Sequence, residues 1–178
     1  LEFAQSKGIV HRDIKPANVM IDGKGKLWVT DFGLARMESD PGMTRTGDLL
    51  GTIRYMAPEQ ALAKRVVVDH RADIYSIGLV GYEMLTGMLP FEKECDGDEE
   101  EMILKRVSND TALEGDFPED IKTFIGRMLS KKPVDRFGDC REVVINLRAL
   151  IASCGKDEST GKDGTGRRSS LVQFSNMT

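Results

Sequence analysis

The sequence has few cysteines, and the three that it has are scattered. Cys95, Cys140 and Cys154 are odd in number and lack the CxxC spacing of a zinc site. This usage excludes a disulfide framework and is typical of a reducing compartment. We therefore expect this part of the protein to be cytoplasmic, an expectation that leaves open a membrane anchor elsewhere in a longer parent protein.

The sequence also has no hydrophobic run long enough to span a membrane. Its most apolar stretch, residues 74–91, is interrupted by Ser76, Glu83, Pro90 and three glycines. A spanning helix needs about 20 predominantly apolar residues. The stretch therefore predicts a buried core helix, and we expect no membrane contact by this segment.

Positive charge is not in excess. The 178 residues contain 25 Lys and Arg against 29 Asp and Glu, which gives a net charge of −4. This balance argues against non-specific nucleic-acid binding and favours basic partners. The chain has no internal repeat, initiator Met or signal-peptide pattern, so we interpret it as a piece of a longer protein.

Residues 1–6 predict the end of a helix, closed by Lys7-Gly8, and the residues from 9 to 36 predict short strands joined by loops. Apolar runs indicate strands at residues 9–10, 19–21 and 27–30, and the sequence DGKG at 22–25 indicates a hairpin turn. Residues 37–53 are polar and Gly-rich and are interpreted as a long loop.

The remainder of the domain predicts helices, so the fold class is α+β and mainly α. Asp69 is expected to cap a helix that ends near Thr86, and Lys105 and Arg106 suit the C-terminal half of a helix that begins with acids at 99–101. Two later helices are predicted by apolar faces at helical spacing: Ile121, Phe124, Ile125, Met128 and Leu129 in one, and Val143, Leu147, Leu150 and Ile151 in the other.

The composition changes near the end of the chain. After Ser153 it turns to Gly, Ser, Lys and Asp, which is typical of a disordered linker. We predict one domain over residues 1–151 and a tail over residues 152–178.

The octet HRDIKPAN, residues 11–18, concentrates polar groups on a loop between short strands. Together with Asp31 it has the groups that phosphoryl transfer from a nucleoside triphosphate requires. Asp13 can accept the proton of an attacking hydroxyl, and Lys15 can reach the γ-phosphoryl group. Asn18 and Asp31 offer the oxygen ligands that Mg²⁺ prefers.

Three motifs, in this order, resemble those of the eukaryotic-type (Hanks-type) serine/threonine protein kinases. HRDIKPAN is similar to the catalytic loop, Asp31-Phe32-Gly33 to the magnesium triplet, and Ala57-Pro58-Glu59 to the end of the activation segment. The resemblance covers residues 1–151, looks most like bacterial members, and implies the C-terminal lobe of the kinase fold with short β-hairpins at the catalytic loop. It implies ATP and Mg²⁺ as cofactors, and protein substrates with Ser or Thr acceptors, including basic ones.

The resemblance also implies structural roles. Asp73 resembles the acid that hydrogen-bonds the backbone of the catalytic loop, and Arg136 resembles the arginine that pairs with Glu59. His11 and Phe32 are implied to be packing residues, with Phe32 in the core near His11.

Further residues are implied to act in catalysis and its regulation. Lys15 and Thr52 match the serine/threonine branch, with Thr52 against Asp13 and Lys15. Arg12 is implied to bind a phosphorylated activation loop, for which Thr44 and Thr46 are the candidate phosphosites. Met20 is expected to form part of the floor under the adenine. Glu83 is either an ordinary helix-surface residue, which we favour, or a reader of a substrate arginine.

The features of the family's N-terminal lobe are absent. There is no GxGxxG loop, since the glycines at 161–166 have the wrong spacing, and no strand lysine precedes Leu1. We therefore expect this piece to bind ATP poorly and to be inactive alone, with the missing N-lobe as a required partner.

Two alternatives are kept. A small-molecule phosphotransferase would share the catalytic Asp and the Asn, but the segment from Thr52 to Glu59 and the helix of Asp73 argue against it. A non-catalytic, pseudokinase-like binding module typically loses its base or a metal ligand, and this chain retains Asp13, Asn18 and Asp31.

Overall fold

The computed structural model of the chain describes residues 1–32, 36–37, 53–62 and 68–157. Six helices, labelled α1 to α6, and four short strands, labelled β1 to β4, lie in these ranges: α1 Glu2–Gln5, β1 Ile9–Val10, β2 Val19–Ile21, β3 Leu27–Val29, β4 Arg36–Met37, α2 Pro58–Ala61, α3 Arg71–Thr86, α4 Glu99–Ser108, α5 Glu119–Met128 and α6 Cys140–Asp157. The predicted mainly helical fold with a small β component is confirmed. In these ranges no helix is long and apolar enough to cross a membrane.

The strands form two antiparallel pairs. β2 and β3 make the predicted hairpin, with Met20 opposite Trp28 in its centre. Its turn is closed by the backbone N–H of Asp22 donating to the carbonyl of Lys26 over 3.0 Å. β1 pairs with β4, where Ile9 lies opposite Met37. The long loop predicted from Met37 is therefore wrong at its first residue, because Met37 belongs to a strand.

Helix α3 is the centre of the hydrophobic core. Its first three turns are buried on nearly every side, as the apolar run predicted. The helix begins at Arg71, where Asp69 accepts a hydrogen bond from the Arg71 N–H over 2.8 Å. It ends at Gly87, which has φ 79°, a left-handed conformation that glycine adopts without steric cost.

Helix α5 packs against α3 through the apolar face that the sequence predicted. Ile121, Ile125, Met128 and Leu129 are buried in this face. The two helices approach so closely that a Cβ atom added at Gly78 of α3 would lie 2.9 Å from the Cβ of Met128. A side chain at position 78 would therefore clash with α5.

Helix α6 corrects the sequence prediction in two respects. Val143 is buried as expected, but Leu147 is 39% exposed and Ile151 is 62% exposed, so the predicted apolar face is only partly in contact with the core. Among the described residues, α6 contacts α1 and α5, and these neighbours leave Leu147 and Ile151 largely exposed. The helix also continues to Asp157, beyond the boundary predicted near residue 151.

Candidate active site

Asp13 lies at the centre of the loop that follows β1. Its carboxylate is almost completely buried. The Oδ2 atom accepts hydrogen bonds from Lys15 Nζ over 2.8 Å and from Asn18 Nδ2 over 3.1 Å. The two donors hold the carboxylate in one orientation, and both bind Oδ2 rather than Oδ1.

Asn18 is held in place by hydrogen bonds to Asp13 and to Thr30. Its Nδ2 atom also donates to the Asp13 carbonyl over 2.8 Å, so that both amide hydrogens are used and the amide oxygen is directed elsewhere. The carbonyl of Asn18 accepts the N–H of Thr30 over 2.9 Å, which brings the end of β3 to the loop. This hydrogen bond attaches Thr30, the residue before Asp31, directly to the loop of residues 11–18.

Asp31 lies between two residues that contact the loop. The carbonyl of Thr30 is 3.0 Å from His11 Nε2, and the rings of Phe32 and His11 are 4.5 Å apart at their centroids. Asp31 itself has φ 60°, an uncommon conformation for a non-glycine residue that is frequent at functional sites.

His11 is fully buried, as its predicted packing role requires, but Phe32 is 44% exposed and so is not the core residue that was expected. Its ring still packs against His11, as expected, at 4.5 Å between the centroids.

The oxygen donors of this site fit Mg²⁺. A carboxylate from Asp31 and an amide oxygen from Asn18 are hard ligands of the kind that Mg²⁺ binds together with phosphate oxygens and water. In the described part of the chain there is no group of three or more His, Cys, Asp or Glu side chains suited to a metal. The joint role of Asn18 and Asp31 as metal ligands stays a prediction.

Asp73 connects the central helix to the loop. Its Oδ2 accepts the His11 N–H over 2.9 Å, and its Oδ1 accepts the Arg12 N–H over 2.8 Å. Burial raises the pKa of Asp73, while the hydrogen bonds from the backbone of Arg12 and His11 act in the opposite direction. Arg12, whose side chain donates to the Val68 carbonyl over 3.4 Å, has φ 69°.

Glu59 and Arg136 form a bidentate ion pair. Nη1 of Arg136 lies 2.6 Å from Oε1 of Glu59, and Nη2 lies 2.7 Å from Oε2. Both side chains are buried, and Arg136 also donates to the carbonyls of Arg71 and Ser130. The pair attaches α2 to the base of the helical core.

The turn at Ile53–Tyr55 is held by α3. Ser76 Oγ donates to the Tyr55 carbonyl over 2.8 Å, and the Tyr55 hydroxyl donates to Glu83 Oε2 over 2.6 Å. Burial raises the pKa of Tyr55, and the bond to Glu83 raises it further. Glu83 is therefore engaged with a tyrosine, which neither sequence interpretation of this residue included.

Of four further predicted site residues, the structure describes one, Met20. Met20, expected under the adenine, lies on β2 and is 55% exposed. Thr44, Thr46 and Thr52 lie outside the described residues, so their predicted roles stay predictions.

The site also includes two polar residues that the sequence did not identify, Gln60 and Arg106. Gln60 Nε2 donates to the Arg12 carbonyl over 3.0 Å. Arg106 is 1% exposed and donates through Nη1 to the Arg54 carbonyl over 2.5 Å. From the sequence, Arg106 was placed in the C-terminal half of α4 by the helix-dipole preference, with no prediction of its burial. The signal that could have indicated burial is its spacing of three and four residues from the apolar Ile103 and Met102, which places it on their face of the helix.

A buried carboxylate held by a lysine and an asparagine, next to a second acid at a strand end, is the arrangement of a phosphotransferase site. The model of the protein kinase domain family matches residues 1–146. The chain belongs to this family.

Comparison with curated proteins identifies bacterial kinases as relatives. The chain is 39% identical over 151 residues to a probable serine/threonine-protein kinase of Clostridium acetobutylicum, covering 83% of this chain and 22% of that protein. It is 32% identical over 166 residues to the serine/threonine-protein kinase PknD of Mycobacterium tuberculosis, covering 90% of this chain and 24% of PknD. It is 39% identical over 137 residues to the tyrosine-protein kinase MasK of Myxococcus xanthus, covering 76% of this chain and 21% of MasK. The chain thus spans about a quarter or less of the length of these relatives.

Proposed function

We propose that this chain is the C-terminal lobe of a serine/threonine protein kinase, and that the complete kinase transfers the γ-phosphoryl group of ATP to Ser or Thr hydroxyls of proteins. The observation that carries the proposal is the Asp13 carboxylate, held by Lys15 at 2.8 Å and by Asn18 at 3.1 Å. Family membership and the printed names of the relatives support the same reaction class.

Asp13 acts as the proton acceptor in this proposal. Because Lys15 and Asn18 both bond to Oδ2, Oδ1 is the atom that accepts the proton of the substrate hydroxyl. Lys15 is partly exposed, so its ammonium group can leave Asp13 and approach the transferred phosphoryl group. Its positive charge stabilises the negative charge that develops there.

Asn18 and Asp31 hold the metal. When bound, Mg²⁺ neutralises the phosphates and orients the γ-phosphoryl group for in-line attack. The chain's own contribution is to fix the two ligands, Asn18 through Asp13 and Asp31 through its neighbours Thr30 and Phe32.

An N-terminal lobe completes the site. The β2–β3 hairpin exposes large apolar side chains on both faces, with the pair Met20 and Trp28 on one face and the pair Ile21 and Leu27 on the other. The exposed pair of Met20 and Trp28 is the surface on which we propose that the lobe packs. A lobe covering it would close the nucleotide site above Met20, and we propose that the isolated chain is inactive for lack of it.

The acceptor class and the regulation follow from Lys15, Thr52 and Arg12. Lys15 and Thr52 favour Ser and Thr over Tyr as acceptors, although one relative is named a tyrosine kinase. Arg12 would bind phosphorylated Thr44 or Thr46, since a phosphate carries close to two negative charges and pairs well with a guanidinium group.

The test joins this chain to a kinase N-terminal lobe and measures phosphate incorporation from Mg-ATP into a generic basic protein. Asp13→Asn is expected to lower the rate by at least about 100-fold, the usual contribution of a positioned general base. Asp110→Asn, an identical change at a highly exposed carboxylate, is the control and should have no effect.

Phosphoamino acid analysis of the product should find phosphoserine or phosphothreonine. Equal rates for wild type and Asp13→Asn would remove Asp13 from its assigned role, and phosphotyrosine alone would contradict the proposed acceptor class.

A further inference from the structure

Gln60 and Asp73 both contact the backbone of the catalytic loop at Arg12. Its Nε2 atom donates to the carbonyl of Arg12 over 3.0 Å, and its Oε1 atom accepts the N–H of Ala57 over 3.0 Å. Asp73 accepts the N–H of the same Arg12 over 2.8 Å. Both polar atoms of the Arg12 backbone are therefore bound by side chains from elsewhere in the fold.

Arg12 requires such support because of its conformation. Its φ of 69° lies in the left-handed region, which costs a non-glycine residue about 1 kcal/mol or more. A strained residue keeps this conformation only when its surroundings hold it. Asp73 alone fixes the N–H, and the carbonyl would be free to rotate without a second contact.

We infer that Gln60 is a positioning residue of the catalytic loop, which fixes the carbonyl of Arg12 and, through it, the direction in which the chain enters Asp13. The peptide bond that begins at this carbonyl ends at the nitrogen of Asp13, which donates to His11 Nδ1 over 3.3 Å. The orientation of this peptide group sets the position of the Asp13 Cα.

The helix that carries Gln60 is firmly attached to the rest of the fold. Gln60 belongs to α2, whose Glu59 is bound to Arg136 by two hydrogen bonds of 2.6 and 2.7 Å. The Ala57 contact holds the amide of Gln60 in a single orientation, with its NH₂ group toward Arg12. Gln60 thus links the Ala-Pro-Glu segment to the loop that contains Asp13.

Glutamine is required here because it combines an acceptor and a donor. Gln60→Glu keeps the shape and the acceptor for the Ala57 N–H but places a carboxylate oxygen against the Arg12 carbonyl. At low pH the introduced carboxyl group becomes protonated and can donate again. A role as a simple packing residue would not give this pH dependence.

The structural test is amide hydrogen exchange of this chain. In Gln60→Glu at neutral pH, the protection of residues 11–14 is expected to fall about fivefold to tenfold, the effect of one lost hydrogen bond. The difference from wild type should shrink as the pH falls toward about 4.3, the ordinary pKa of Glu. Residues 119–128 in α5 should be unchanged.

A matched control is Gln5→Glu. Gln5 Oε1 accepts the Cys140 N–H over 2.9 Å, while its buried Nε2 has no hydrogen-bond partner among the residues that the structure describes. The same chemical change there removes no donated bond and should leave residues 11–14 protected. Unchanged protection of residues 11–14 in Gln60→Glu, or an equal loss in α5, would overturn the inference.

The catalytic part of the inference rests on the proposed function and has a separate readout. In the complete kinase, Gln60→Glu is expected to lower kcat about fivefold to tenfold with KM for ATP unchanged. An active wild type with an inactive Asp13→Asn, but a Gln60→Glu variant of wild-type kcat and exchange, would refute the role of Gln60 and leave the proposed function intact. If the wild type transfers no phosphate, the proposed function fails, and hydrogen exchange alone decides whether Gln60 positions the loop.

Discussion

The carboxylate of Glu59 and the guanidinium of Arg136, 77 residues apart in the sequence, face each other through two parallel hydrogen bonds in the interior. Such a pair contributes little net stability over an apolar replacement of both partners, because each charge has lost its hydration. Removing only one partner has a large effect, since the other charge is then buried alone.

Arg136→Met is accordingly expected to lower the free energy of unfolding by about 3–5 kcal/mol. The measurement is chemical denaturation followed by circular dichroism. The double variant Glu59→Leu with Arg136→Met should lose less than the sum of the two single variants, because neither charge is left unpaired. Strict additivity would show that the two residues do not act as a pair.

Arg106→Met should have the opposite outcome although the substitution is the same. Arg106 is as deeply buried as Arg136, but within the described part of the chain its Nε and Nη2 atoms have no hydrogen-bond partner, and burial lowers the pKa of its guanidinium. Replacing this poorly compensated charge with an apolar side chain of similar length should raise the free energy of unfolding by about 1–2 kcal/mol. The same denaturation experiment measures it, and a loss as large as that of Arg136→Met would contradict the expectation.

Two glycines in packed helices should respond differently to alanine. Gly78→Ala places a methyl group 2.9 Å from the Met128 Cβ and should lower the free energy of unfolding by about 1–3 kcal/mol. Gly126→Ala, in α5, meets nothing within 4 Å and should raise it by up to about 1 kcal/mol. Thermal unfolding of both variants checks this, and equal melting temperatures would contradict the described packing of α3 on α5.

Glu92 should make the stability pH-dependent. The Leu89 N–H, 2.7 Å away, and the Arg54 guanidinium hold the pKa of Glu92 below its ordinary 4.5. Its stabilisation is therefore complete above pH 4.5 and is lost as the pH falls through the lower pKa of the folded state. The wild type should exceed Glu92→Gln by about 1 kcal/mol at pH 7, and the difference should disappear in acid. A difference independent of pH would exclude the carboxylate as its source.

The elements that the sequence predicted well are those whose environment is set by local pattern. The strands at 9–10 and 19–21, the face of α5 and the end of α3 at Gly87 follow from periodicity and turn chemistry. The face of α6 was wrong at Leu147 and Ile151, because a pattern shows that a face is apolar but not whether a neighbour exists to cover it.

In the candidate site, too, the residues in a local motif could be predicted and those that depend on distant contacts could not. The oxygen and nitrogen groups of residues 11–18 could be identified from their types and spacing alone. The role of Gln60 could not be predicted in this way, because it depends on the carbonyl of Arg12, 48 residues away. It also depends on the left-handed backbone conformation of Arg12, which the residue type does not predict. The burial of Arg106 was not predicted either, because a helix-dipole argument places a charge along the helix axis and does not show which face of the helix carries it.

The attachment of Asp73 to residues 11 and 12 has a consequence for the order of folding. Until the loop arrives, the most deeply buried acid of α3 has no partner for either oxygen, and the helix cannot be enclosed without a large electrostatic cost. Assembly of the catalytic loop and closure of the helical core should therefore occur in one cooperative step. A folding intermediate with a packed helical core and a disordered catalytic loop should not accumulate. The arrangement of the catalytic residues therefore forms in the same step as the native state itself.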